Sequence, residues 1–350
     1  MCPHAGSAAA VSRRPRRVLV PVEIPAWRAP GRALRPLFWE GRAMGTYWRV
    51  SAFAGSSVSE RRVTEIRRGI ERRLDTVVRQ MSHYEWDSDL SRYNRARAGT
   101  WVTLPDPFFD VLRCAIEIAA ASQGWFDPTL GECISLWGFG AEPPVEDPAE
   151  PALREALRNC GWERLKLDTL RRAAWQPGGL KLNLSAIAKG FAVDDLSRWL
   201  QQWGIVSALV DIGGELRGWG VKPDGTPWWV RVENPPYDDG SIAETLAALC
   251  GLSIASSGDW MQWRRAGQRL VCHLMDPTTG APVEGGTCGA AVIHDSCMVA
   301  DAWATALCVA PPRAAMRLAR RHGLAARLIY RKPCGQLGEW LSPAMQAMAR

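Results

Sequence analysis

A chain of 350 residues with 47% hydrophobic and 23% charged residues is long enough for one large domain or two lobes. Its net charge of +7 does not mark a nucleic-acid binder, because eight arginines against two glutamates in residues 1–42 carry six of those charges and leave the rest of the chain nearly neutral. No run approaches the roughly 18 apolar residues of a membrane span, and only Val18-Leu19-Val20 follows the Arg13–Arg17 cluster, too little for an export signal.

Residues 1–37, rich in Pro, Arg and Ala, read as an extended, disordered leader. A strand-like run begins near Phe38 and crosses Met44-Gly45-Thr46 to Val50. Val63, Ile66, Ile70, Leu74 and Val77 recur at intervals of three and four, which predicts a helix over 59–80. A loop through Met81-Ser82-His83-Tyr84 follows, where Tyr84 is placed to stack on a ligand. A second helix over 106–122 stops at Gly124.

The next segment, Trp125-Phe126-Asp127-Pro128, has two readings. It is either a clamp for a flat heteroaromatic ring, with Asp127 accepting ring N–H groups, or an aromatic anchor with an Asp-Pro turn. Residues 138–148 form a Gly/Pro/Glu loop between lobes, and 151–160 a short helix. Strand-like runs follow at 166–167 and 180–184. Ser185 reads as the N-cap of an amphipathic helix over 186–203, whose free N–H groups suit an anion and whose Lys189 lies one turn in, within reach of a phosphate. An ordinary capped helix with a surface lysine is the alternative.

Runs at 207–212, 215–219, 228–233, 248–256 and 268–275, separated by Gly or Pro turns, give the pattern of an antiparallel sheet and hence an α+β fold. Asp211-Ile212-Gly213-Gly214-Glu215 lacks the spacing of a dinucleotide fingerprint and reads as a hairpin turn. His273 sits in a strand-like run before a polar loop and is a candidate general base or a structural histidine. Asp301 and Thr305 are one turn apart on a helix otherwise rich in Ala, Trp, Leu and Cys, and a helix near 312–322 closes the fold. A buried carboxylate requires a partner or a metal, and a carboxylate with a hydroxyl is a hard oxygen pair of the kind Mg²⁺ takes alongside substrate phosphates. The ten cysteines show no C-x-x-C pair, which favours a reducing, cytoplasmic setting.

Singly these signals are weak, but their order is not. Met44-Gly45-Thr46, Met81-Ser82-x-Tyr84, Asp87-Ser88-Asp89-Leu90-Ser91-Arg92-x-Asn94, Phe126-Asp127-Pro128-Thr129, Leu184-Ser185-Ala186-Ile187-Ala188-Lys189-Gly190, Asp211-Ile212-Gly213-Gly214-Glu215, Ser257-Gly258-Asp259, His273-x-x-Asp276-Pro277-x-x-Gly280 and Asp301-Ala302-x-Ala304-Thr305 together resemble the ApbE family of FAD:protein FMN transferases. The resemblance implies two closely packed lobes, a transferase domain over 38–325 with a C-terminal extension at 326–350, and an FAD cleft between the lobes.

It also implies Mg²⁺-dependent transfer of FMN from FAD to a Thr or Ser hydroxyl of an acceptor flavoprotein, with release of AMP. Met44, Tyr84, Trp125, Phe126, Asp127, Asn183, Lys189 and Leu274 fall at flavin-contact positions. Asp301, Thr305 and the Ala186 carbonyl fall at metal positions, and His273 falls where the acceptor hydroxyl is activated. Two positions depart from the family pattern: Asn183 stands where Asp is common, and Ala304 where some members place a second metal-binding Asp. Two rival readings are a flavin carrier without activity and a pyrophosphatase that splits FAD to FMN and AMP.

Overall fold

A computed structural model describes residues 15–23, 34–55, 57–141 and 147–350. Its centre is an eight-stranded antiparallel sheet. The strands run, in spatial order, Leu337–Leu341, Ala325–Arg331, Thr287–His294, Ser253–Gly258, Glu215–Trp219, Ser207–Ile212, Thr46–Gly55 and Leu34–Ala43. Alternation along the strands sorts side chains between two cores. Trp48, Val50, Val210 and Ile212 face the larger core, whereas Phe53, Leu209 and Leu216 face a smaller one.

Helices Glu60–Met81, Ala188–Gln202 and Cys297–Val309 supply the larger core. The opposite face is covered by a three-stranded sheet, Arg16–Leu19, Glu244–Leu249 and Trp228–Val232, together with helix Pro343–Met348. A smaller group of elements has a core of its own. Helices Gly131–Leu136 and Glu150–Asn159 share a third core with the hairpin of strands Trp263–Ala266 and Arg269–Cys272. Helix Asp106–Ala121 and the short sheet of strands Thr100–Thr103, Ala173–Gln176 and Leu167–Asp168 pack instead on the larger core. The class is α+β with mostly antiparallel sheets, as the turn-separated strands imply.

Several expectations need correction. Within the expected leader, Arg16–Leu19 is a strand that pairs in parallel with 244–247, and Arg17 forms an ion pair with Glu339 at 2.7 Å; residues 1–14 and 24–33 lie outside the described residues. The sheet begins at Leu34, and residues 325–331 and 337–341 are two of its strands, so a boundary at 325 cuts through it. Residues 180–184 do not form a strand. The Leu182 N–H and carbonyl are taken by the Asn94 side chain at 2.7 and 3.0 Å, and the Asn183 N–H by the Pro128 carbonyl. Ser185 does not cap the following helix, which starts at Ala188 with Ile187 at its cap position and no side-chain cap bond.

Candidate functional site

The site is built where two helices cross on the face of the sheet. Gly190 makes the crossing possible, since a Cβ there would stand 2.4 Å from the Cys297 carbonyl oxygen and 2.8 Å from the Asp301 Cβ. Asp194, one turn further on, fixes the start of the second helix. Its carboxylate accepts from the N–H groups of Cys297 and Met298 at 3.0 Å each and from the Ser296 hydroxyl at 2.7 Å. A carboxylate on the first-turn N–H groups of a helix is favourable for both hydrogen bonding and the helix dipole.

Asp301, on the next turn, is only 2% exposed, and its Oδ2 accepts the Gly190 N–H at 3.0 Å. That N–H would ordinarily bond back to the Ala186 carbonyl. Diverting it leaves the Ala186 oxygen with no donor among the described residues, at the open end of the helix. Thr305 shares the Asp301 face of its helix, and its hydroxyl meets the Ser257 hydroxyl at 3.0 Å.

Lys189 donates to the Glu215 Oε1 at 2.5 Å. Glu215 is 1% exposed and its Oε2 has no partner among the described residues. Burial works against the Lys189 ammonium, but the charges of Glu215 and Asp301 outweigh it and hold the lysine above its ordinary pKa. Burial pushes Glu215 up to about 8, with Asp301 adding to the rise and Lys189 opposing it. Burial likewise raises Asp301. Two carboxylates against one ammonium leave the buried cluster one negative charge in excess, and such an excess requires a proton or a cation.

The donor set fits Mg²⁺. Among the described residues no three His, Cys, Asp or Glu side chains form a metal-binding group. The oxygens on offer are one carboxylate, one hydroxyl and one backbone carbonyl. Such a set suits a hard cation that keeps several waters and takes phosphate oxygens, and does not suit zinc, which takes nitrogen and sulfur.

His273 follows the last strand of the hairpin. Its Nδ1 and its backbone N–H both donate to the Gln262 carbonyl, each at 3.2 Å, which leaves Nε2 as the acceptor nitrogen. Burial lowers its pKa to about 4, the Gln262 bond opposes that shift and the nearby Lys189 charge adds to it. The imidazole is therefore neutral at physiological pH, with a free base nitrogen. The turn beyond it is fixed by Asp276, which accepts the Thr278 N–H at 2.7 Å, and by the Trp137 indole, which donates to the Gly280 carbonyl at 3.0 Å.

The flavin-contact positions divide into two groups. Tyr84 is 60% exposed, packs its ring 4.0 Å from that of His83 and donates its hydroxyl to the Phe139 carbonyl at 3.2 Å. Met44 sits at the tip of its hairpin with φ +53, a left-handed conformation uncommon for a non-glycine residue. Trp125 and Asn183 are half-buried. Phe126 and Leu274, by contrast, are core residues at 3% and 4% exposure. Both Asp127 oxygens are used internally: Oδ1 accepts from the Thr129 N–H at 2.8 Å and its hydroxyl at 2.6 Å, and Oδ2 from the Trp162 N–H at 3.2 Å. Of the two readings of that segment, these bonds support the anchored turn.

Glu215 and Asp194 are the partners that sequence reasoning missed. Glu215 was hidden as the residue after a hairpin turn, and Asp194 as a polar residue on a helix. The one available signal was their burial-prone setting among apolar neighbours, where a carboxylate requires a partner.

Residues 44–328 match the ApbE family. The FAD:protein FMN transferase of Haemophilus influenzae is 33% identical over 303 residues, covering 84% of this chain and 86% of that protein. The FAD:protein FMN transferase of Escherichia coli K12 is 30% identical over 312 residues, 88% of each chain. Among solved structures, the apo form of the flavinyl transferase ApbE from Pseudomonas stutzeri superposes with a TM-score of 0.80 at 30% identity, covering 90% of this chain and 97% of that one.

Proposed function

This chain belongs to the ApbE family, and from that premise we propose that it is an FAD:protein FMN transferase, moving FMN from FAD onto a Thr or Ser hydroxyl of an acceptor protein. The observation that carries the chemical reading is the buried cluster of Asp301, Lys189 and Glu215 beside the released Ala186 carbonyl. It is a cationic group and a cation-demanding group at one helix start, the combination a pyrophosphate–metal complex needs.

The Asp301 carboxylate, the Thr305 hydroxyl and the Ala186 carbonyl would hold Mg²⁺. When bound there, the ion neutralises charge developing on the leaving phosphate. Lys189, kept protonated by its carboxylate neighbours, binds the pyrophosphate and stabilises the same charge. His273 takes the proton of the acceptor hydroxyl on Nε2, which its Nδ1 bond to Gln262 leaves free.

The hydroxyl oxygen attacks the phosphorus of the FMN half. One O–P bond forms, the pyrophosphate O–P bond breaks, and AMP departs with the electron pair. Fixing phosphorus and hydroxyl in line supplies much of the rate in such reactions. Tyr84 and Met44 border the cleft in which the flavin lies. We place the reaction in the cytoplasm, on the strength of ten cysteines without paired spacing; fractionation of cells expressing the full chain tests that placement.

The central test is incubation with FAD, Mg²⁺ and the co-encoded candidate acceptors, followed by denaturing electrophoresis. A fluorescent acceptor band that survives denaturation is the expected result. Free FMN with no labelled protein would instead identify a pyrophosphatase, and intact FAD a carrier.

A further inference from the structure

In the reading above Glu215 serves only to keep Lys189 protonated, yet it is the most completely buried acid of that cluster, at 1% exposure against 2% for Asp301. Only one of its two oxygens is used. Oε1 accepts from Lys189, while Oε2 is enclosed and has no partner among the described residues. A buried carboxylate oxygen without a donor is costly, and in native proteins such an atom normally finds protein, water or ion. Glu215 is held rigidly. It opens the strand Glu215–Trp219 straight after Gly213 and Gly214, whose φ values of +63 and +103 make the tight turn, and Gly213 has no room for a Cβ against Thr46. Its backbone is fixed by that turn, and the bond to Lys189 holds its side chain inside.

We propose that Glu215 is an outer-sphere partner of the divalent cation, its Oε2 accepting a hydrogen from a water in the metal's coordination shell while Oε1 holds Lys189. This inference rests on the metal reading of Asp301, Thr305 and Ala186. Mg²⁺ dehydrates reluctantly and keeps several waters, so a site with three protein oxygens leaves waters whose hydrogens need acceptors. Outer-shell acceptors of this kind orient the inner ligands and tune affinity. Glu215 is thus a positioning residue with a double grip, one oxygen on the phosphate-binding ammonium and one on the hydrated cation. It couples the two halves of the pyrophosphate clamp through a single buried carboxylate.

The test uses Mn²⁺ as probe, read from the loss of the free-ion electron paramagnetic resonance signal on titration into the full-length protein. Glu215→Gln keeps an oxygen for Lys189 but replaces the acceptor with a donor. Its Mn²⁺ dissociation constant rises about 10–100-fold. Metal-free FAD affinity, read from flavin fluorescence quenching, stays level or tightens, because the substitution removes no positive charge from the phosphate site. A purely structural role would weaken both ligands together, and that outcome overturns the inference. So does a Mn²⁺ affinity within two-fold of wild type.

Asp301→Ala is titrated in parallel. If it loses Mn²⁺ while Glu215→Gln does not, Glu215 has no part in the metal site and the metal reading stands. If Asp301→Ala binds Mn²⁺ as wild type does, both fall. Should Glu215→Gln fail to fold, Glu215→Asp keeps the charge on a shorter arm, and an affinity between those of wild type and Asp301→Ala is expected; wild-type affinity in that variant refutes the role.

Discussion

Gly190→Ala separates two physical effects of opposite sign. Within a helix, alanine is favoured over glycine by up to about 1 kcal/mol, and Gly190 lies in the first turn, so propensity alone predicts a protein no less stable. The crossing predicts the reverse. The new Cβ would lie 2.4 Å from the Cys297 carbonyl oxygen, 2.7 Å from its carbon and 2.8 Å from the Asp301 Cβ. Two of those atoms are backbone and cannot rotate away, so the helices must part by roughly 1 Å to reach ordinary contact.

Overpacking of this kind costs about 1–3 kcal/mol, and a collision with backbone belongs at the upper end, which leaves a net loss of about 2 kcal/mol after the propensity gain. Urea unfolding followed by tryptophan fluorescence reads the stability directly. The same shift draws Asp301 away from the Gly190 N–H, so Mn²⁺ affinity falls with stability. A urea midpoint equal to or above that of wild type would refute the close-crossing account of the site.

Three further outcomes follow from the same geometry. Asp301→Ala abolishes Mg²⁺-dependent turnover; an unchanged rate in a flavinylation assay would remove the aspartate from the metal site. His273→Ala lowers the transfer rate by about 10²–10⁴-fold, and in the wild-type enzyme kcat/KM falls on acidification with a limb near the pKa of about 4 that burial gives His273, not near the 6.5 of a free imidazole; the sign is that a base works only above its pKa, and a limb near 6.5 would place His273 elsewhere. Glu339→Ala strips the carboxylate from the buried Arg327, bonded to it at 2.7 Å, and from Arg17 on the N-terminal strand. Breaking a buried pair in this way costs about 3–5 kcal/mol, and a loss below 1 kcal/mol in urea unfolding would show that the pair is not what anchors that strand.

What could be read in advance followed the clarity of the local pattern. Strands Ser207–Ile212 and Glu215–Trp219 were legible because residues alternate between two cores and Gly213-Gly214 punctuates them. Helix Glu60–Met81 was legible from one apolar stripe. Strand Thr287–His294 was not, because helices and a second layer cover both of its faces and seven successive residues are buried, which erases the period of two. The run at 248–256 was read as one strand, whereas Gly251, with φ +79, breaks it into Glu244–Leu249 and Ser253–Gly258. Ser185 looked like a cap because of its type and place, yet its N–H is drawn to the Asn183 side chain at 2.9 Å and the helix starts three residues later. In the site, Asp301, Lys189 and His273 could be named from motif order. Lys189 with Glu215, and Asp194 with the Cys297 helix, are pairings across 26 and 103 residues that only the fold brings together.

The two departures from the family pattern acquire a local logic. Asn183 accepts the Ser185 N–H with its oxygen, which turns its amide NH₂ towards His83 Nδ1 at 3.5 Å. A carboxylate at 183 would have no hydrogen to offer that nitrogen, and burial holds His83 neutral with a pKa of about 4. Asparagine therefore suits a neutral histidine neighbour. Ala304 is fully enclosed in the large core. A second carboxylate there would demand its own compensation among apolar neighbours. The second acid of the buried cluster stands on the sheet, where Glu215 accepts from Lys189.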